Sequence, residues 1–328
     1  MERIIVSFFL RLIFTTTCLA FFIFKTDAAE TNEQRSLVIV IGAAGSEDYA
    51  EQFTKSAGLW KKAGTAGGML TTVIGEETNN PEADLERLTA ILKKESTRAK
   101  SELWLVFIGH GTFDGKVAKF NLRGPDISAE DLAKALRPCE RPMAIIQCAS
   151  SSAPFMNSIA ATNRVIITAT KSGHELNATR FGNYMAAAIG DPAADLDKDG
   201  QTSLLEAFLM ASSRVEQFYK EAGRLATEHA LIDDNGDGLG TPPDWFKGVR
   251  ATKSASDGKS VDGLRAHQMN LIYSPVEEEL SDQQRARRNI LELQLNDLRN
   301  RKAQMKVDDY YDALEKILVE TAHIYEKK

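Results

Sequence analysis

A histidine and a cysteine each follow an apolar stretch of the chain. His110 comes after LWLVFIG, and Cys148 comes later in the sequence, after MAIIQ. A cysteine acts as a nucleophile in its thiolate form, and a nearby imidazole can take or share the proton. The backbone N–H groups of Gly111 and Cys148 are candidates to face a tetrahedral oxyanion. We therefore predict acyl-transfer chemistry, with Gln147 and His174 as further candidates for the substrate site and His174 as an alternative partner for the thiol.

A second pattern has the spacing of a calcium-binding loop. The loop has carboxylates at alternate positions (Asp195, Asp197 and Asp199). A turn glycine follows at Gly200, and Glu206 stands at the twelfth place. Alternate carboxylates point inward, glycine permits the sharp turn, and the glutamate closes the shell with both oxygens. Gln201 would add its backbone carbonyl, and the apolar helix LLEAFLMA follows, as in an EF-hand. The pattern predicts a Ca²⁺ site, with a solvated acidic turn as the alternative.

A related loop, DDNGDG, follows further along the chain and begins at Asp233. Asp233, Asn235 and Asp237 keep the alternate spacing, and Asp244 falls at the twelfth place. Pro242 and Pro243 prevent the usual exiting helix. Hard oxygen ligands hold a loop without activating a thiol, so we expect the calcium to be structural rather than catalytic. No organic cofactor is expected.

Short apolar stretches alternate with helical patterns over the first half of the chain. Leu37 to Ile41, Thr72 to Ile74, Leu103 to Ile108, Met143 to Ile146 and Val165 to Ala169 read as strands. This alternation predicts a mostly parallel sheet that is covered by helices on both faces. In such a sheet the loops meet at the carboxyl ends of the strands, where His110, Cys148 and His174 fall.

The order of these two blocks resembles a known clan of cysteine peptidases. A His-Gly pair after one buried strand (WLVFIGHG) and a cysteine after the next (MAIIQCAS) look like legumain, the caspases, the gingipains and the transamidase of lipid-anchor attachment. The resemblance covers roughly residues 36–189. It implies a caspase-like three-layer α/β sandwich, a peptide substrate, His110 as the base or orienting residue, and Cys148 as the nucleophile that forms a thioester.

The chain also departs from this clan. Legumain-type enzymes carry Glu-Ala before the cysteine and caspases carry Gln-Ala, whereas Ile146 and Gln147 stand here. The cleavage specificity of those enzymes therefore does not carry over. The alternative hypothesis is a caspase-fold protein that binds calcium and another protein without catalysis. A nucleotide site at GAAGS is disfavoured because the GxGxxG spacing is missing.

The N-terminus predicts export. Arg3 and Arg11 precede an apolar run from Leu12 to Phe24, and small residues follow up to residue 29, which is the order of a secretory signal peptide spanning residues 1–28. An uncleaved anchor is the alternative. We predict a periplasmic or secreted protein. In that setting Cys139 and Cys148 could instead form a disulfide, although closing it would distort a strand.

These patterns divide the chain into four parts. A signal peptide (1–28) precedes a catalytic domain (36–190), a helical region with both calcium loops (191–275) and a C-terminal helical hairpin (276–328), whose apolar residues recur at three- and four-residue spacing. The hairpin could bind a protein partner, mediate self-association, cover the sheet or be a plain helical pair. A formal net charge of −6 argues against nucleic acid as a partner, and no membrane span is expected after signal removal.

Overall fold

A computed structural model describes residues 34–77, 83–98, 101–253 and 261–326. These residues belong to one compact unit, Glu33–Lys328. The predicted signal peptide lies outside the described residues, so its cleavage stays a prediction.

Up to residue 188, helices separate the strands, apart from a run of four consecutive strands between residues 103 and 128. The strands are β1 (Ser36–Ile41), β2 (Leu70–Ile74), β3 (Leu103–Ile108), β4 (Gly111–Phe113), β5 (Ala118–Phe120), β6 (Ile127–Ser128), β7 (Met143–Gln147), β8 (Arg164–Thr168), β9 (Leu231–Asp233), β10 (Phe246–Lys247) and β11 (Arg250–Ala251). The helices are α1 (Glu47–Ala66), α2 (Asp84–Ser96), α3 (Ala129–Leu136), α4 (Ala153–Ile159), α5 (Phe181–Ala188), α6 (Leu204–Glu221), α7 (Leu264–His267), α8 (Pro275–Glu278), α9 (Asp282–Arg301) and α10 (Val307–Tyr325).

Six strands form the central sheet in the order β2-β1-β3-β7-β8-β9. The first five are parallel, and β9 runs antiparallel to β8. All residues of β1 and β3 are buried, because helices cover both faces of a parallel sheet. The predicted α/β class with a mostly parallel sheet is confirmed.

Two apolar clusters lie on opposite faces of the sheet. Leu37 and Ile39 of β1 belong to the cluster that includes residues of α1, α5 and α6, whereas Val38 and Val40 belong to the cluster with α2, α3 and α4. Alternate residues of a strand point to opposite faces, so β1 contributes to both clusters. The result is a helix–sheet–helix sandwich.

The last two helices form the predicted hairpin. Gln284 at the start of α9 donates a hydrogen bond to the backbone oxygen of Ile324 at the end of α10 (3.2 Å). The turn contains the short 3₁₀ helix Lys302–Gln304. No helix in the described ranges combines the length and the apolar character needed to cross a membrane.

Candidate functional site

His110 lies just beyond the carboxyl end of β3. Its Nε2 is 3.1 Å from the backbone oxygen of Ala44, which follows β1. The ring also packs edge-on against Tyr49 and Phe53 of α1, with centroids 4.5 and 5.2 Å away. A carbonyl oxygen only accepts hydrogen bonds, so this contact assigns the proton of the neutral ring to Nε2 and leaves Nδ1 as an acceptor. The ring is therefore oriented by a third group, as a general base requires.

Cys148 is the first residue after β7, at the same edge of the sheet. Its side chain is 3% exposed and belongs to the core cluster that includes α1 and α5. Gly182 of α5 lies directly against it: a Cβ added to Gly182 would be 2.6 Å from the Cys148 Cβ and 3.2 Å from its Sγ. Thr179 donates a hydrogen bond to the Cys148 backbone oxygen. The segment Thr179–Gly182 therefore covers the cysteine.

The cover over Cys148 decides its proton affinity. Burial raises the pKa of the Cys148 thiol to about 12. A thiol with that pKa is ionised to about one part in 10⁵ at pH 7. No hydrogen bond joins Cys148 to His110 in the part of the chain that the structure describes. The two side chains thus share a sheet edge, but the thiol is not activated in this conformation.

The N–H groups that we predicted to face an oxyanion both have partners here. Cys148 N–H donates to the Phe107 backbone oxygen (3.0 Å), and Gly111 N–H donates to Ser150 Oγ (3.3 Å). Ser150 Oγ donates in turn to the Gly111 backbone oxygen (3.0 Å), so the serine links the two loops. The oxyanion role of these N–H groups stays a prediction, and it requires at least Ser150 Oγ to move.

Neither of the remaining candidates for the substrate site forms a hydrogen bond with the thiol among the described residues. Gln147 is 1% exposed, and its side-chain amide has no hydrogen-bond partner. His174 is exposed, and its ring packs edge-on against Phe113 of β4, with centroids 5.2 Å apart. No hydrogen bond between His174 and Cys148 is formed among the described residues. Cys139 and Cys148 are both free, so the alternative of a disulfide is not realised.

A cleft of about 510 Å³ opens beside this edge of the sheet. The first turns of α1, residues 177–180 and the end of α6 with the loop after it form its walls. Tyr49 touches the His110 ring and Thr179 bonds to Cys148, so these two wall residues connect the cleft to both candidate catalytic residues.

The first acidic loop brings three of its predicted ligands together. Carboxylate oxygens of Asp195, Asp197 and Asp199 lie within 4.8 Å of one another. Asp195 accepts hydrogen bonds from the N–H groups of Lys198 (2.6 Å) and Gly200 (3.1 Å), and Gly200 has a φ of +91°, which favours glycine. These acidic side chains fit a hard cation such as Ca²⁺.

Glu206 closes this loop from the first turn of α6. Its Oε1 accepts hydrogen bonds from the backbone N–H of Leu196 (2.7 Å) and Asp197 (3.3 Å), which are the second and third loop positions. Its Oε2 accepts from Ser203, the N-cap residue of α6. The side chain of Gln201 donates to Asp199 (3.0 Å), and its predicted contribution through the backbone carbonyl is untested.

The second loop repeats the same hydrogen-bond framework. Asp233 accepts from the N–H groups of Gly236 (2.8 Å) and Gly238 (3.0 Å), as Asp195 does from the fourth and sixth positions of the first loop. Asn235 accepts from the N–H of Asp237 (2.9 Å), as Asp197 does from Asp199. The first positions of the two loops are therefore held in the same way.

The structure offers a second carboxylate, besides Asp244, that could close the second loop. Asp244 lies in the 3₁₀ helix Pro243–Trp245, and its exposed carboxylate pairs with Lys253 (2.6 Å). The buried Asp262 instead accepts hydrogen bonds from the N–H groups of Asp234 (3.0 Å) and Asn235 (3.2 Å). Asp234 and Asn235 are the second and third positions of the second loop. Asp262 therefore accepts the same two backbone hydrogen bonds that Glu206 accepts in the first loop. The choice of Asp244 assumed a continuous twelve-residue loop, whereas Pro242 and Pro243 lead into a 3₁₀ helix there, and a calcium-binding role of Asp244 stays a prediction.

Asp262 lies well beyond the loop that begins at Asp233, and nothing in the local spacing identifies it. Its other oxygen accepts from the Thr241 hydroxyl (2.6 Å). Burial, followed by repulsion from the neighbouring carboxylates Asp234 and Asp233, raises the pKa of the Asp262 carboxyl to about 7. An ionised Asp262 carboxylate therefore needs a nearby positive charge, which a bound cation would supply.

Comparisons with known proteins place similar architectures among the caspases. The Drosophila initiator caspase Dronc is 12% identical, with a TM-score of 0.39 over 64% of this chain and 83% of that chain. Caspase-1 from Spodoptera frugiperda is 9% identical, with a TM-score of 0.41 over 62% and 86% of the two chains. No family model and no curated protein sequence matches this chain. The fold assignment therefore rests on the strand order and helix layers described above.

Proposed function

We propose that this chain is a calcium-stabilised protein-interaction module that binds a peptide segment in the cleft without cutting it. The observation that carries this proposal is the cover over Cys148, because a thiol beneath Gly182 with a pKa of about 12 does not supply a thiolate near neutral pH. The cleft itself is lined mainly by polar side chains and is open to a ligand.

The decisive experiment incubates the purified chain with a peptide library and follows binding and cleavage separately. We expect captured peptides to be recovered intact, and the Cys148→Ala variant to capture the same peptides. Cleavage that is lost in both Cys148→Ala and His110→Ala would overturn the proposal. Failure of the unmodified chain to capture any peptide would also overturn it.

A second candidate function is a cysteine endopeptidase, and the orientation of His110 favours it. The Ala44 carbonyl holds the ring with Nδ1 as the acceptor, at the sheet edge that carries Cys148. In this hypothesis His110 takes the thiol proton, the sulfur attacks the peptide carbonyl carbon, and the amine leaves with that proton. Water then hydrolyses the thioester. The segment Thr179–Gly182 has to move away from the sulfur before this attack. Peptide turnover that depends on both His110 and Cys148 is the result that would favour this candidate.

We further propose that both loops bind Ca²⁺ as a structural ion. Asp195, Asp197, Asp199 and Glu206 would hold the first ion, and Asp233, Asn235, Asp237 and Asp262 the second. Their geometry, with alternate carboxylates around a turn glycine, supports oxygen ligation. Calorimetric titration with calcium is expected to reveal two sites. A titration without heat of binding, in protein freed of metal by a chelator, would contradict this proposal.

Export to the periplasm or the exterior remains our proposal for the location, and it agrees with calcium use outside the cell. Mass spectrometry of the mature protein tests it, because removal of residues 1–28 changes the mass.

Self-association or partner binding through the hairpin is also a proposal. Tyr311 and Leu318 of α10 are 54% and 48% exposed, and sedimentation of the chain beside a Leu318→Glu variant would test their role.

A further inference from the structure

Residues 262–281 lie along the chain between the second acidic loop and the C-terminal hairpin, and we call them the connecting segment. They include α7 and α8. Leu271, in the middle of the segment, is fully buried in the core cluster that contains residues of α1, α5 and α6. Arg35, which precedes β1, donates hydrogen bonds to the backbone oxygens of Asn270 (2.7 Å) and Leu271 (3.0 Å). The connecting segment is therefore packed as part of the body rather than as a surface loop.

The second acidic loop, which begins at Asp233, holds the start of the connecting segment. Asp234 lies inside that loop and is buried. One of its carboxylate oxygens accepts hydrogen bonds from three N–H groups at the start of α7, which are those of Gly263 (2.9 Å), Arg265 (2.7 Å) and Ala266 (2.9 Å). Hydrogen bonds to an ionised acceptor are stronger than those between neutral groups. A change in the conformation of the second loop is therefore expected to move α7.

The first acidic loop, which begins at Asp195, contacts the other end of α7. His267 is the last residue of α7, and its Nε2 is 3.1 Å from a carboxylate oxygen of Asp197. Further along the segment, the N–H of Ser274 donates a hydrogen bond to the side-chain oxygen of Gln201 (3.2 Å). Each end of α7 therefore contacts one of the two loops.

The C-terminal hairpin docks on the far end of the same segment. Glu277 of α8 is buried, and its Oε1 accepts hydrogen bonds from Arg288 of α9 (2.7 Å) and from the hydroxyl of Tyr325 at the end of α10 (3.0 Å). One carboxylate thus binds both helices of the hairpin. Breaking a buried ion pair by removing one partner is costly, so Glu277 fixes the base of the hairpin to the connecting segment.

The first half of α9 makes further hydrogen bonds to the connecting segment. Gln268 donates to the backbone oxygen of Asn289 (3.0 Å) and to the carboxylate of Glu292 (2.8 Å). Arg285 donates to the backbone oxygen of Leu280 (2.5 Å). The segment that contacts both acidic loops is therefore also the surface on which the hairpin is docked.

We infer that the connecting segment couples the two acidic loops to the hairpin, so that Ca²⁺ in the loops keeps the hairpin docked and loss of Ca²⁺ releases it. This inference rests on the proposed binding of Ca²⁺ by both loops. A bound cation fixes the loops, the loops fix both ends of α7, and the segment then presents Glu277 to the hairpin. Coupling of this kind is reciprocal, because docking has to strengthen calcium binding by the same factor by which calcium strengthens docking.

Hydrogen exchange of the full chain, followed by mass spectrometry, measures the docking. Peptides that cover residues 275–292 contain α8 and the first half of α9, where the docking contacts lie. We expect these peptides to exchange about tenfold faster with a chelator than with excess calcium. Peptides from β3, at the centre of the sheet, should exchange equally under both conditions and serve as the internal control.

Calorimetric titration with calcium tests the reciprocal effect. Arg288→Met removes the ion pair with Glu277, and we expect it to weaken calcium binding about fivefold or more. The matched control is Arg301→Met, since Arg301 lies in the same helix but pairs with Asp297 inside the hairpin. Melting curves check that each variant is folded. Tyr325→Phe, which removes only a hydroxyl from the same contact, keeps the test valid if Arg288→Met does not fold.

Three results would overturn the inference and leave the calcium proposal standing. The first is calcium binding by the unmodified chain with exchange of residues 275–292 unchanged by the chelator. The second is an unchanged calcium affinity in both Arg288→Met and Tyr325→Phe. The third is an equal loss of affinity in the Arg301→Met control. Absence of any heat of calcium binding by the unmodified chain is the separate result that removes the calcium proposal itself, and the inference with it.

Discussion

At the scale of single residues, the reactivity of Cys148 is set by its surroundings rather than by its distance from a histidine. Its Sγ lies beneath Gly182, and among the described residues no charged group offsets the effect of burial on the thiol. Desolvation disfavours the charged form of any acid, so the pKa of the thiol rises. The consequence is a cysteine that behaves as a small apolar core residue.

The pH dependence of alkylation provides a direct check. Because the pKa of Cys148 is raised to about 12 from an ordinary value of 9.0, the thiolate forms only at pH values well above 9 in the folded chain. We expect iodoacetamide to label Cys148 slowly from pH 7 to 9, and rapidly once the chain is unfolded in urea. Peptide mapping by mass spectrometry distinguishes Cys148 from Cys139. Labelling of the folded chain that rises with a midpoint below pH 9 would contradict the assignment of a buried, neutral thiol.

Asp262 and Asp244 are predicted to differ in their effect on calcium binding. Asp262→Asn removes the carboxylate that occupies the place of Glu206, so we expect the affinity of the second site to fall at least tenfold, or about 1.4 kcal/mol. Asp244→Asn is the matched control, because that carboxylate pairs with Lys253 at the surface. Calorimetric titration measures both variants. A loss of the second site in Asp244→Asn, with Asp262→Asn unchanged, would restore the assignment made from spacing.

At the scale of elements, the contact between α5 and the end of β7 holds the candidate site closed. Gly182 permits this contact because it has no Cβ, and Glu228 accepts hydrogen bonds from the N–H groups at the start of α5. Hydrogen bonds to a buried carboxylate are stronger than those between neutral groups. The start of α5 is thus fixed against the sheet edge.

Gly182→Ala is expected to destabilise the fold. The added Cβ would lie 2.6 Å from the Cys148 Cβ, so α5 has to shift, and we expect a loss of about 1–3 kcal/mol in the free energy of unfolding. Urea denaturation measures it. Adding Cys148→Gly removes the clashing atom and should recover part of the loss in a double-mutant cycle.

Gly58→Ala in α1 is the control for this substitution. A Cβ at Gly58 meets nothing within 4 Å, and alanine is the better helix former, so the change should stabilise the chain by about 0.5–1 kcal/mol. If Gly182→Ala is as harmless as Gly58→Ala, the contact between α5 and Cys148 is not as close as described.

At the scale of the whole molecule, the two acidic loops, for which we propose calcium, connect the sheet to the helices that follow it. The first loop precedes α6, which packs in the same core cluster as α5, and the second loop begins at β9, the antiparallel edge strand. Asp234, inside the second loop, accepts hydrogen bonds from the N–H groups of Gly263 and Ala266 at the start of α7. A cation that fixes the conformation of these loops is therefore expected to stabilise the helices that contact them.

Removal of calcium is expected to lower the melting temperature of the whole chain. A ligand that binds only the folded state stabilises it by about 2.7 kcal/mol when present at a hundred times its Kd. Differential scanning calorimetry with excess calcium and with a chelator measures the effect, and magnesium at the same concentration is the control for ionic strength. Identical melting curves under both conditions would argue against structural calcium.

Much of the fold was predictable from sequence, because local patterns report it. Strands buried on both faces need continuous apolar stretches, and LVIVI and LWLVFI therefore mark β1 and β3 directly. The order of strands and helices implies parallel pairing, so the placement of His110 and Cys148 at one sheet edge followed as well. The turn and hydrogen-bond framework of the first acidic loop was equally predictable, since its residues lie close together along the chain, and calcium binding there stays a prediction.

Tertiary structure alone decided the state of the thiol and which carboxylate accepts the hydrogen bonds that close the second loop. Gly182 lies far along the chain from Cys148, as Asp262 does from Asp233, and neither separation has a periodicity that sequence could reveal. The physical reason is that burial and closing contacts depend on which distant segments pack together. Strand and loop patterns depend on neighbours along the chain, and so the amino-acid sequence by itself determined them.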